Sequence, residues 1–289
     1  MDARASRANH NVRIAALQRG RAEVAARTRR LAYGVLVAGN VLFWSTRALS
    51  ADPEDVSVTP YRPTVSTPAA LSAPGWLEIE AGLQGADVGG ALRRDSLPYA
   101  LKLALTEDWG VRVAGEAWVR DPTALNRESA PGGDTSLILK RRFAVNDRSA
   151  FGLELGLTAP TARAGLHSGS GQTDYSATGI YSSDFAHSLH ADLNLGLTRL
   201  GSADPSTSHR QAMWAAALQD GVSARWGIVA ELSGTRQGGT RSTAQLLGGA
   251  TFSPGKRVTW DFGVARGLNS ASSGWTLFVG TTFLAARVF

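Results

Sequence analysis

The side chains able to do covalent chemistry are few and scattered. The chain holds no cysteine, which excludes a thiol nucleophile, a cysteine-ligated zinc and an iron–sulfur cluster. Beyond residue 50 the histidines are His167, His187, His190 and His209. His167 adjoins Ser168, but a Ser–His pair needs hydrogen-bond contact and a third group to orient the ring. His167 with Asp174, or His187 with His190 and Asp192, has the residue types of a cation site. Position argues otherwise: His190 falls on the polar face of an alternating segment, His187 in a turn, and His167 and His209 in or beside polar loops. None sits mid-strand on an apolar face beside a serine. Glu78 and Glu80 share one strand face, without the substrate-sized gap and unlike environments of an acid/base pair. Gly169-Ser170-Gly171 lacks the lysine and the strand–helix context of a phosphate loop. No catalytic residue, no metal and no cofactor is assigned.

The ionisable residues that do form a pattern are Glu78, Glu80, Lys102, Arg112, Glu116, Lys140, Arg142, Glu154, Asp192, Glu231 and Asp261. Each lies opposite a row of apolar residues spaced two apart. Leu77, Ile79, Ala81 and Leu83 alternate with Glu78 and Glu80. Leu97, Tyr99, Leu101, Leu103 and Leu105 face away from Lys102. Val111, Val113, Ala117 and Val119 face away from Arg112 and Glu116. Phe151, Leu153, Leu155 and Leu157 oppose Glu154; Leu189, Leu193, Leu195 and Leu197 oppose His190, Asp192 and Asn194; Val258, Trp260, Phe262 and Val264 oppose Asp261. A period of two is a strand with one apolar and one polar face. About twelve such segments follow one another: 75–86, 96–107, 109–121, 134–144, 149–160, 173–183, 187–199, 209–219, 222–235, 242–253, 257–267 and 274–289.

Their connections alternate in length. Glu107-Asp108, Val145–Asp147, Asp184–Ala186, Gln219–Gly221 and Ser253–Lys256 are tight. Residues 87–95, 122–133, 161–172, 200–208, 236–241 and 268–273 are longer and polar. Short turns at one end, long loops at the other and strands of about ten residues describe an outer-membrane barrel. The fold class is therefore all-β: a closed, transmembrane, antiparallel up-and-down β-barrel of about 12 strands, covering residues 75–289. In such a barrel the apolar face meets lipid and the charged set lines the lumen as selectivity candidates.

The charge distribution supports export rather than nucleic-acid binding. The formal charge is +6, but residues 1–50 carry nine arginines against Asp2 and Glu23. The rest holds 21 Lys and Arg against 22 Asp and Glu, a net charge of −1, with no basic field for phosphodiesters. Arginine-rich residues 1–30, the uncharged run 31–44 and Ala48-Leu49-Ser50 make a cleaved signal peptide over residues 1–50. The run is shorter than the roughly 20 residues of a spanning helix. Residues 51–74, with prolines at 53, 60, 63, 68 and 74, read as an extended Pro-rich N-terminal extension. The final segment places Trp275, Leu277, Val279, Thr281, Phe283 and Ala285 on one parity and ends in Phe289, resembling the terminal β-signal recognised by the outer-membrane assembly machinery; Arg287 departs from it. Aromatics near segment ends, among them Trp76, Trp109, Trp226, Trp260 and Trp275, fit interfacial girdles.

Several stretches resemble the MetA-pathway of phenol degradation family. They are Pro68-Ala69-Ala70-Leu71 with Gly75-Trp76-Leu77-Glu78-Ile79-Glu80, Leu97-Pro98, Gly133-Asp134-Thr135, Leu157-Thr158-Ala159-Pro160-Thr161 and Gly169-Ser170-Gly171-Gln172-Thr173-Asp174-Tyr175. The resemblance covers about residues 68–289. It implies a barrel in the outer membrane of a Gram-negative bacterium, with a pore or transport role for hydrophobic or aromatic compounds. The expected partners are outer-membrane lipid and lipopolysaccharide, the assembly machinery and a small-molecule solute, with a monomer as the expected state.

Two function classes stay open. One is passive transport through a narrow charged lumen. The other is a non-conducting structural or surface-interaction barrel, its lumen closed by mutual salt bridges. Filled barrels have about 8 strands and open porins about 16, so about twelve decides neither.

Overall fold

A computed structural model describes residues 56–89, 92–121, 129–163, 168–185, 188–201 and 204–289. The signal-peptide reading of residues 1–50, and His167 and His187, lie outside them. The strands are β1 (Trp76–Gly89), β2 (Leu92–Ala104), β3 (Trp109–Arg120), β4 (Ser129–Ala130), β5 (Thr135–Ala144), β6 (Ser149–Ala159), β7 (Asp174–Asp184), β8 (Leu189–Arg199), β9 (Arg210–Gly221), β10 (Trp226–Gln237), β11 (Thr243–Gly255), β12 (Val258–Gly267) and β13 (Trp275–Arg287). Sequential strands pair antiparallel, and β1 closes on β13 from Trp76↔Arg287 to Ala86↔Thr276. The two-residue β4 and the longer β5 both pair with β3 and share one place in the wall. The result is the closed antiparallel barrel of twelve strand positions that the alternation predicts.

Which way the apolar face points decides what the barrel is for. Leu195 is 71% exposed while Glu78 is fully buried. Leu137, Leu153, Leu155, Leu193, Ile228, Leu246 and Leu277 are exposed with Leu195; Glu80, Lys102, Lys140, Asp192, Glu231 and Asp261 are buried with Glu78. A water-soluble barrel has the opposite arrangement. This one presents hydrocarbon-compatible surface outward and satisfies its backbone within a closed sheet, as a bilayer demands.

Two local departures from the sequence reading have physical causes. Residues 87–95, expected as a loop, are largely strand, because β1 and β2 pair on to Asp87↔Arg93 and Gly89↔Leu92. Arg93 and Arg120 both pair with Asp95 there, and a charged rim hides the apolar alternation that marks a strand. Val119, expected on the lipid face, is buried. Leu97 pairs with Trp118 but Pro98 with Glu116, so Ala117 is an extra residue, a bulge that reverses parity beyond it.

Both chain ends of the barrel meet at its short-turn end. Gly75 N–H donates to Ala104 O (2.9 Å), and Val288 N–H donates to Gly75 O (2.7 Å). Gly75 has φ +77°, and a Cβ there would stand 2.6 Å from Phe289 O. Only glycine meets both demands.

A lumen occupied by the N-terminal segment

Residues 56–74 run inside the barrel. A proline-rich segment without a strand partner still carries backbone N–H and C=O groups, and each buried one needs a partner. The inward charged side chains supply them. Glu78 Oε2 accepts from Thr59 N–H (2.9 Å) and Glu80 Oε1 from Tyr61 N–H (2.7 Å). Glu231 accepts from Val65 N–H (3.1 Å) and Ser66 N–H (2.7 Å). Asn194 accepts from Thr67 N–H at 2.8 Å and returns a bond to Thr67 O at 2.9 Å, mimicking a strand neighbour. Ala69 N–H donates to Ser182 Oγ (2.7 Å), and Ser182 Oγ donates in turn to Asp192 Oδ1 (2.5 Å).

The cations serve the carbonyls. Lys102 Nζ donates to Thr59 O (2.6 Å) and bridges Glu78 and Glu80, each at 2.5 Å. Lys140 Nζ donates to Pro68 O and to Tyr61 Oη (3.0 Å), and pairs with Glu154 at 3.4 Å. Arg112 pairs with Glu154 at 2.9 Å. Tyr61 stands at the centre of this cluster. Its ring lies 3.9 Å from Lys102 Nζ and 4.3 Å from Lys140 Nζ, and its hydroxyl donates to Ala70 O (2.9 Å). The desolvated ammonium groups thus gain a π-face as well as carboxylates. Arg62 crosses to the far wall and pairs with Asp261 at 3.1 Å.

Nine of the eleven lumen residues singled out from the sequence, all but Glu116 and Arg142, therefore take part in the network that holds the segment. In eight the side chain is in direct contact with it; Asp192 acts through Ser182. Glu116 forms a two-pronged pair with Arg94 (2.8 and 2.6 Å) nearer the long-loop end. Arg142 lies nearer the short-turn end, half-buried, with its backbone N–H given to Asp108 O. Sequence reading missed Tyr61, Arg62 and Ser182, and placed Asn194 on the polar face without giving it a role. The usable signal was an excess of inward acids, Glu78, Glu80 and Glu231, beside a proline-rich stretch that lacks its own backbone partners.

The opposite wall is built differently. On β9 to β13 the inward positions include Ala215, Ala217, Val229, Leu247 and Ala265, all buried, with Phe278 packed against them. Glu231 and Asp261 are the acids of this wall that touch the segment. Two cavities flank those contacts. One of about 250 Å³ toward the long loops is lined by Val65, Met213, Ser233, Thr235, Gln245 and Ser272. The other, about 470 Å³ toward the short turns, is lined by Pro60, Arg62, Gln219, Thr251, Ser253 and Thr259.

The described histidines of the barrel have structural partners. His190 contacts Asp184 (2.6 Å) and Asp192 (3.1 Å). Ser182 and His190 both meet Asp192 rather than each other, so the nucleophile–base contact is not formed. His209 bonds Leu200 O at 2.8 Å. Among the described residues no three of His, Asp and Glu converge as metal ligands would. Gly133-Asp134 and Gly169-Ser170-Gly171, far apart in sequence, meet at the long-loop end. Asp134 accepts from Ala162 N–H (3.1 Å) and Ser170 N–H (2.7 Å), and a Cβ on Gly169 would lie 2.3 Å from Asp134 Oδ1. These residues lock two loops together.

Known proteins of the same shape are outer-membrane barrels. The COG4313 outer membrane channel from Pseudomonas putida F1 superposes with a TM-score of 0.57 at 15% identity, over 81% of this chain and 100% of that one. The NanC porin gives 0.53 at 9% identity, over 72% and 100%. The KdgM porin gives 0.51 at 11%, over 72% and 99%. At such identities the likeness is one of fold. No curated protein matches the chain in sequence. The family model described as "Putative MetA-pathway of phenol degradation" matches residues 133–286, more than half of the chain and most of the barrel wall, and the chain belongs to that family.

Proposed function

We propose that this protein is an outer-membrane channel for small solutes, narrowed by its own N-terminal segment. The carrying observation is the one-sided distribution of the segment's charged contacts. They cluster on β1 to β6, while cavities of about 250 and 470 Å³ persist along β9 to β12. On this reading the solute passes beside the segment, over Ala217, Val229, Leu247, Ala265 and Phe278, crossing the Arg62–Asp261 and Val65–Glu231 contacts. An apolar strip of that kind suits small neutral compounds, aromatic ones included, and the family's description points to the same class. The inward charges then act first as a socket and only secondarily as a selectivity field. The same reading takes residues 1–50 as a cleaved signal peptide, Phe289 as the assembly signal and the monomer as the working unit.

Single-channel recording of residues 51–289 refolded in a planar bilayer tests it. Small discrete steps are expected, reduced by phenol-sized neutral solutes. A second reading, a closed barrel with a surface role, is favoured by the number of buried bonds holding the segment. Silence from folded protein, both with the socket intact and with Arg62 and Glu231 replaced, would establish that reading instead.

A further inference from the structure

The outer wall carries four arginines at the long-loop ends of β8, β9, β10 and β12. Arg199 ends β8, Arg210 opens β9, Arg236 is next to last in β10 and Arg266 next to last in β12. Their parity matches that of Leu195 and Leu197, Trp214 and Leu218, Ile228 and Leu232, and Phe262 and Val264, which are exposed on the lipid face. All four arginines are exposed.

Arg199 and Arg210 are direct cross-strand partners, and like charges in that position repel. Among the described residues no carboxylate pairs with Arg199, Arg210 or Arg236. Two carboxylates at the same long-loop end are engaged elsewhere, Asp174 by Gly201 N–H and Asp204 by Ser206. Arg266 lies over Trp275 with its guanidinium 5.0 Å from the ring. The opposite flank differs: Arg93 and Arg120 at the same end both pair with Asp95. Among the described residues, this sector therefore carries a cationic arc without ion-pair partners directly above an apolar belt.

We propose that this arc, Arg199, Arg210, Arg236 and Arg266, docks the phosphate groups of lipopolysaccharide, whose acyl chains lie along the leucine-rich face below. Planar guanidinium groups grip phosphate oxygens in pairs. A polyanion placed between Arg199 and Arg210 turns their mutual repulsion into shared attraction. The inference rests on the outer-membrane orientation, with the long loops outside, and does not depend on conductance.

The test uses the barrel in neutral detergent, with heat-induced loss of the folded, fast-migrating form on gels as readout. Purified lipopolysaccharide is expected to raise the unfolding temperature. In Arg199→Gln with Arg210→Gln, half-maximal protection should need roughly tenfold more lipopolysaccharide. The double variant should be no less stable than wild type without lipid, because a like-charge pair is gone. Arg93→Gln serves as the control and should respond as wild type does. Equal protection by dephosphorylated lipopolysaccharide would overturn the phosphate assignment. Equal protection by phosphatidylglycerol would overturn the choice of lipopolysaccharide. Unchanged affinity in the double variant would overturn the site itself.

Discussion

The two walls of the lumen solve opposite problems. The wall of β1 to β6 buries Glu78, Glu80, Lys102, Lys140 and Glu154 and half-buries Arg112, and these close on one another and on the main chain of residues 59–68. The wall of β9 to β13 faces inward with small apolar residues and uncharged Ser, Thr and Gln, and its charged contacts with the segment are two acids. A buried ion pair contributes little net stability but becomes costly when one partner is removed. The charged wall therefore fixes position, and the neutral wall leaves room. A lumen lined evenly with charge would do neither; it would hold water, as in a wide porin.

The two walls can be perturbed separately. The largest effect should come from Lys102→Met. It leaves Glu78 and Glu80 buried without their cation and should cost about 3–5 kcal/mol, seen as a lower unfolding temperature and poor refolding yield. Full stability would mean that water, not Lys102, compensates the two acids. Next, Arg62→Ala with Glu231→Gln cuts the segment from the neutral wall. The charge-assisted bonds lost are each about 1.5–3 kcal/mol, and single-channel conductance should rise severalfold while the barrel stays folded. On the neutral wall, Ala217→Phe should lower conductance without disturbing the segment. An unchanged current would place the passage elsewhere. The smallest effect is expected from Gly75→Ala. Its left-handed backbone and the nearby Phe289 carbonyl make a cost of about 1–3 kcal/mol, visible as a modest fall in unfolding temperature.

Much of the barrel was legible in the sequence because a strand facing lipid on one side must alternate, and Leu193, Leu195 and Leu197 against Asp192 and Asn194 can hardly do otherwise. The bulge at Ala117 was not legible. It depends on how β3 meets Pro98 across the sheet, and the apolar Val119 continues the local pattern while pointing the other way. The inward charges were found, but not what they hold. Residues 56–74 have no periodicity, since their partners are side chains as distant as Asp261, which pairs with Arg62. A segment whose backbone N–H groups are met by side chains far away in sequence looks the same as a linker. The loop motifs were visible as words, Gly133-Asp134 and Gly169-Ser170-Gly171, while their meeting at the Asp134 carboxylate needed the fold.

The absence of cysteine makes the central claim directly measurable. Ser57, near the described start of the segment, is exposed, whereas Ser66 is fully buried and its hydroxyl has no hydrogen-bond partner. Ser57→Cys and Ser66→Cys are near-isosteric and keep the backbone bond from Ser66 to Glu231. On the folded barrel, a water-soluble maleimide should label Ser57→Cys quickly and leave Ser66→Cys unlabelled until the barrel is unfolded. Equal labelling of both on the folded protein would put the segment outside the lumen and contradict the account.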